Sequence, residues 1–146
     1  MKWARKHIRI ALILCFVLCL AGCGTSASNP VGFSSLQVTR SSNVRDNHFP
    51  PLTKTIQNQA IISHIYQAIQ NLPPSQSRFC PLDTGLQYVA TFTQQNGSQE
   101  SVTLSASGCR IVTISGSDRR ATNNTFWQLF AQALGISQEN VFVNPE

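Results

Sequence analysis

An unbroken apolar run from Ile10 to Leu20, IALILCFVLCL, divides this chain before any other feature is considered. As a helix, eleven residues rise roughly 16 Å, about half the thickness of a bilayer's hydrocarbon core. The run is too short for a stable transmembrane span and has the length of a signal-peptide core. Ahead of it stand Lys2, Arg5, Lys6 and Arg9 with no acid among them, the positive flank that stays cytoplasmic during insertion. Residues 1–22 are therefore expected to be an export signal, and the folded domain must be built from residues beyond Gly22.

The run closes on Leu20-Ala21-Gly22-Cys23. This tetrad resembles the bacterial lipobox, in which an aliphatic and two small residues precede a Cys. The small residues let a signal peptidase approach the backbone, and the thiol takes a diacylglyceryl group. Cys15 and Cys19 follow the bulky Leu14 and Leu18 and read as small hydrophobes within the run. The resemblance implies that Cys23 is lipidated and becomes the new N-terminus. The domain would then sit on the outer, extracytoplasmic face of a cell membrane. One acyl chain anchors only marginally, at about 0.8 kcal/mol per buried CH₂, whereas two or three hold stably. Plain secretion or a short membrane anchor is the competing reading. Charge, run length and tetrad together favour the lipoprotein.

Removing the signal changes the electrostatic picture. The whole chain carries +5, but four of its eleven Lys and Arg residues lie in the first nine positions. The seven bases that remain face six acids, one net positive charge, and no basic run is longer than Arg119-Arg120. Nucleic-acid binding needs a clustered cationic footprint, so no nucleic-acid partner is expected. Of the five Cys residues, Cys80 and Cys109 remain once the signal and Cys23 are set aside. An even pair in an oxidising compartment reads as a disulfide, with two buried free thiols as the alternative.

Gly24 to Ser35 is mostly Gly, Ser, Thr, Ala and Asn with a single Pro. Residues 23–35 thus read as a flexible tether, about 40 Å at full stretch and about 19 Å on average. Residues 36–146 are expected to form a single domain. Leu36 and Val38 alternate with polar residues as in a short strand, and Leu52 to Ile56 suggests a second. Residues 41–51 read as loop. Asn58 is a helix N-cap, Ile61, Ile62, Ile65, Tyr66, Ile69 and Leu72 recur at helical spacing, and Pro73-Pro74 ends the segment, giving a helix over about 59–71.

Three strands of a meander come next. Leu86, Tyr88, Ala90 and Phe92 alternate in the first, Val102, Leu104 and Ala106 in the second, and Cys109 and Ile111 share a face in the third. A two-residue Asn96-Gly97 turn would put the first two apolar sets on opposite faces, because a one-residue slip inverts a strand. An odd loop, Asn96-Gly97-Ser98, pairs Phe92 with Val102 and aligns them. A two-residue Ser107-Gly108 turn would pair Leu104 with Ile111. After a polar loop, Asn123 or Asn124 caps a second helix with Phe126, Leu129, Phe130, Ala133 and Leu134 inward, ended by Gly135. Val141 to Val143 suggests a last strand. The expected class is α+β: an antiparallel three-stranded meander, two helices on one face, and extra short strands at the N- and C-terminal ends.

Cys80-Pro81-Leu82-Asp83-Thr84-Gly85-Leu86-Gln87-Tyr88, then Phe92, then Ser107-Gly108-Cys109, resembles a pattern in small uncharacterised lipoproteins of Gram-positive and filamentous soil bacteria. The likeness runs from about Thr55 to Leu134. It implies the same fold and the Cys80–Cys109 pairing, and it brings no activity with it.

Catalytic signals are sparse. No HExxH, GxSxG or P-loop pattern is present, and no metal or cofactor is expected. Asp46-Asn47-His48 would need further converging ligands to hold a metal, and His64 lies beside the apolar stripe of its helix. Asp83 and Gly85 read as turn formers. Asp118-Arg119-Arg120 reads as a solvated loop, with Arg119 and Arg120 the best candidates for an anion or partner contact. Trp127 lies about 100° round its helix from the Phe126/Phe130 stripe, at the core's rim or exposed as a partner anchor. Asn96-Gly97-Ser98 and Asn123-Asn124-Thr125 match glycosylation sequons but read as a turn and a helix cap. The leading functional expectation is a binding module on the membrane surface, for an envelope or extracellular protein or a small ligand. The rival is a small hydrolase or metal-dependent enzyme built on His48, His64 and the few acids.

Overall fold

Antiparallel pairing in register organises the chain. The structure is a computed structural model that describes residues 32–42, 49–76, 80 and 83–142. Six strands, β1 (Phe33–Ser41), β2 (Leu52–Ile56), β3 (Gln87–Gln94), β4 (Gln99–Ser105), β5 (Ile111–Ser115) and β6 (Asp118–Ala121), form one open sheet in the order β2-β1-β3-β4-β5-β6. Among the described residues two α-helices, α1 (Gln59–Gln70) and α2 (Asn124–Leu134), complete an α+β fold. The sheet is twice as wide as the three-stranded meander expected, because β1 and β2 join it on one side and β6 on the other. β1 begins at Phe33, inside the stretch read as tether. The export signal, Cys23, most of the tether, His48 and Val143 lie outside the described residues.

Both helices start and stop where their capping residues dictate. The Asn58 side chain accepts from the amides of Ala60 and Ile61, and Ile62, Ile65 and Ile69 bury one stripe of α1. Asn123 accepts from Phe126 N–H, and Gly135, in the left-handed region at φ 66°, terminates α2. The helix stripes and the inward positions of the strands make one core. An inward row crosses the entire sheet through Leu52, Arg40, Tyr88, Leu104, Val112 and Arg120. Phe33, Tyr66 and Phe92 form one aromatic cluster above the sheet, and Tyr88, Phe126, Trp127, Phe130 and Phe142 form another.

The first hairpin has the odd loop that burial demands, one residue earlier than expected. Thr93 pairs with Gln99, and Gln94 N–H donates to the Ser98 carbonyl. The loop is thus Gln95-Asn96-Gly97, a turn closed by Gly97 N–H to the Gln94 carbonyl, with Gly97 at φ 85°. Val102 faces Ala90 rather than Phe92, while Phe92 and Val102 still share the buried face. The second hairpin departs by one residue. Leu104 pairs with Val112, not Ile111, because Cys109 stays in the turn and Arg110 adopts φ 47°. By strand alternation Ile111 then points away from the main core.

Two further expectations are corrected. Residues 118–121 are not loop but the sixth strand, joined to β5 through Gly116-Ser117, with Gly116 at φ 47°. Val141 and Phe142 are not in a strand. A short 3₁₀ turn (Gln138–Asn140) folds them inward, and both are buried.

Candidate functional site

Among the described residues the helices pack on one face of the sheet, and the opposite face is built almost entirely of hydroxyls and amides. A row of outward residues crosses all six strands: Thr53, Thr39, Val89, Thr103, Thr113 and Arg119. A parallel row runs through Thr55, Gln37, Thr91 and Ser101. Thr39, Thr53, Thr55, Gln37 and Ser101 are exposed, and Val89 is 37% exposed. Thr91 Oγ1 and Ser101 Oγ lie 2.9 Å apart, a cross-strand hydrogen bond that orders neighbouring side chains. Strands tolerate this composition because Thr is β-branched and fits a pleated surface, with its χ1 restricted before any ligand arrives. One corner is closed, since Ile111 on this side is only 5% exposed.

A second concavity lies between the helices. His64, Ala68, Asn71, Leu72, Phe126 and Leu129 border a cleft of about 250 Å³. It is continued by one of about 180 Å³ beside Ile61, Gln132 and Ala133. The lining is mostly apolar, with His64 common to both parts. Among the described residues no three His, Cys, Asp or Glu side chains converge as a metal site would require.

The candidate residues separate. Arg119 ends the hydroxyl row at the sheet edge. Arg120 points to the other face, where Nε donates to Asp118 Oδ1 at 2.7 Å, Nη2 to Asp118 Oδ2 at 3.1 Å and Nη1 to the Leu72 carbonyl at 3.2 Å. The guanidinium holds the Asp118 carboxyl below the usual carboxylate range. Trp127 is fully buried and so is removed as a surface contact. Phe142, with ring centroids 5.7 Å away, closes over the side of α2 that the helix stripe left open, and Trp127 Nε1 donates to Thr122 Oγ1.

The cysteines meet as expected: Cys80 and Cys109 are bonded, their Cα atoms 5.0 Å apart. Of the connection between α1 and β3, the Pro73–Ser75 part lies at the sheet edge. It runs along β6, where Ala121 N–H donates to the Pro73 carbonyl and Ser75 N–H to the Arg119 carbonyl. Beside the disulfide, Asp83 Oδ1 accepts from Ser107 Oγ at 2.6 Å and from Gly85 N–H at 2.9 Å. The Ser107 hydroxyl, then the Gly85 amide, lower the Asp83 pKa. Asp83 and Cys80 thus fasten one segment to one turn by two routes.

Sequence reasoning missed the hydroxyl face, because polar strand positions were read only as the complement of the core. The signal was present in Thr91, Thr93, Thr103 and Thr113 at alternate positions. Compared with protein-family models, characterised proteins and solved structures, the chain matches none.

Proposed function

We propose that this protein is an extracytoplasmic lipoprotein, anchored by lipid on Cys23, whose domain serves as a binding module rather than an enzyme. The observation that carries the binding part is the uncovered sheet face, a broad surface of ordered hydroxyl and amide groups opposite the helices. The anchoring part is supported by the basic flank, the short apolar run and the LAGC tetrad. The Cys80–Cys109 bond suits an oxidising compartment. A tether of nine residues between Cys23 and Phe33 would hold the domain within about 35 Å of the lipid headgroups.

The test is mass spectrometry of the N-terminal peptide from protein made in a bacterial host. The expected result is a diacylated or triacylated Cys23, and Cys23→Ala should accumulate as uncleaved precursor or be shed. Normal maturation at another bond without lipid would remove the anchor.

A further inference from the structure

We infer that the open sheet face binds a neutral, hydroxyl-rich polysaccharide strand, laid along the Thr53-Thr39-Val89-Thr103-Thr113 row. The inference deepens the binding-module reading above and rests on it. Charge selects the occupant. The two outward rows contain no carboxylate and no lysine, and Arg119 at the far end is their one cation. A polyanion would find no cationic track to release its counterions. A protein partner would find no aromatic anchor, since Val89 is the row's one apolar side chain. What the face does offer is hydroxyls that both donate and accept, on β-branched residues with little rotamer freedom to lose. These are the groups that a neutral sugar chain presents in return. Six strands at about 4.8 Å spacing make a row of about 24 Å, long enough for several consecutive sugar rings.

The experiment is co-sedimentation of the detergent-purified, full-length protein with insoluble glycans. Chitin and cellulose represent free neutral polysaccharide, purified cell-wall sacculi represent the cell's own glycan, and a cross-linked polyanionic polysaccharide is the control. The expected result is pelleting with at least one neutral glycan, unchanged between roughly 50 and 200 mM salt. Which arm pellets identifies the source. Thr39→Glu, exposed and outward, should weaken binding at least tenfold with an unchanged melting temperature. Thr39→Ser and the groove variant His64→Glu should retain it. Pelleting with the polyanion alone, no pelleting at all, or binding indifferent to Thr39→Glu would overturn the inference. If the same protein fails on glycans yet crosslinks to an envelope protein through other residues, the glycan is wrong and the binding module stands. If nothing in the envelope is bound, both fall.

Discussion

Arg40 occupies an inward position on β1, between Leu52 and Tyr88, where an apolar residue is the ordinary choice. It is 6% exposed. Its guanidinium donates from Nε and Nη2 to the Pro50 carbonyl, and from Nη1 to the Asn140 carbonyl and Tyr88 Oη. Tyr88 in turn donates to the Val141 carbonyl. One side chain therefore joins the loop before β2, the central sheet and the C-terminal segment. Charged hydrogen bonds contribute about 1.5–3 kcal/mol, and buried acceptors left unpaired add a penalty. Arg40→Met should lower stability by about 2–4 kcal/mol in urea unfolding, and Tyr88→Phe by about 1–2 kcal/mol. An Arg40→Met protein as stable as wild type would show that the three segments are held by other means. The same surroundings make stability depend on pH. Burial, opposed in part by Arg40, raises the Tyr88 pKa, and burial and Glu100 raise that of Tyr66. These raised pKa values favour the fold fully below the unfolded tyrosine pKa of about 10, and that contribution disappears as pH rises beyond it. The Asp83 pKa is lowered, so its contribution is present above the unfolded value of about 3.9 and disappears as pH falls further. Asp83→Asn should flatten the acid limb of the stability profile and leave the alkaline limb unchanged. Equal acid limbs in denaturant titrations of the two proteins would count against the Ser107 contact.

Elements were legible where apolar period and turn chemistry agreed. Asn58 and Pro73 bracket α1, and Asn123 and Gly135 bracket α2, because caps act locally and leave their mark in local sequence. The face of β4 came from parity alone, since any odd loop aligns Val102 with Phe92, whichever three residues turn. β5 was misregistered because its turn is set at long range. Cys109 is tied to Cys80, 29 residues away, and Arg110 in the left-handed region adds a residue to the loop. Its carbonyl accepts from Thr122 and its guanidinium lies 4.7 Å from the Phe142 ring centroid, contacts from beyond β6. β6 was missed because Asp118-Arg119-Arg120-Ala121 has no apolar alternation, and its partner across the edge is the Pro73–Ser75 segment. Trp127 was misplaced because the residues that cover it, Tyr88 and Phe142, lie 39 positions before and 15 after it. The disulfide closes a loop that the chain-entropy argument values at about 3.5 kcal/mol. Cys80→Ser, Cys109→Ser and the double variant should each lose about 3–4 kcal/mol, and reduction of wild type should have the same effect. A loss below about 1 kcal/mol in all four would mean that Asp83–Ser107 and the β6 contacts suffice to hold the turn.

At the scale of the whole molecule, an open six-stranded sheet has two edges, and each is an invitation to pair with another chain. The β6 edge is occupied by the molecule itself, through the Pro73–Ser75 bridge and the prolines that cannot extend a ladder. The β2 edge has a different defence. β2 is five residues long, and at its centre Lys54 sits in register with Val38 on the inner side, where its Nζ donates to the Leu134 carbonyl at the end of α2. The ammonium satisfies a C-terminal carbonyl and opposes the negative end of the helix dipole. It also places a charge where an incoming apolar strand would need to bury its own side chains, a recognised way of blunting an edge. Two roles predict two separable effects. Lys54→Leu should lower stability by about 0.5–1.5 kcal/mol, the scale of one charged cap on a helix end. It should also promote association by pairing β2 with β2 of a second copy, visible as a concentration-dependent rise in mass by light scattering. Lys54→Arg should preserve monomer behaviour by keeping the charge. Adding a proline at Thr53 in the Lys54→Leu background should abolish the association without restoring the lost stability, because it removes an edge donor but no helix contact. A Lys54→Leu protein that stays monomeric at high concentration would show that the shortness of β2, not its inward charge, keeps this edge unpaired.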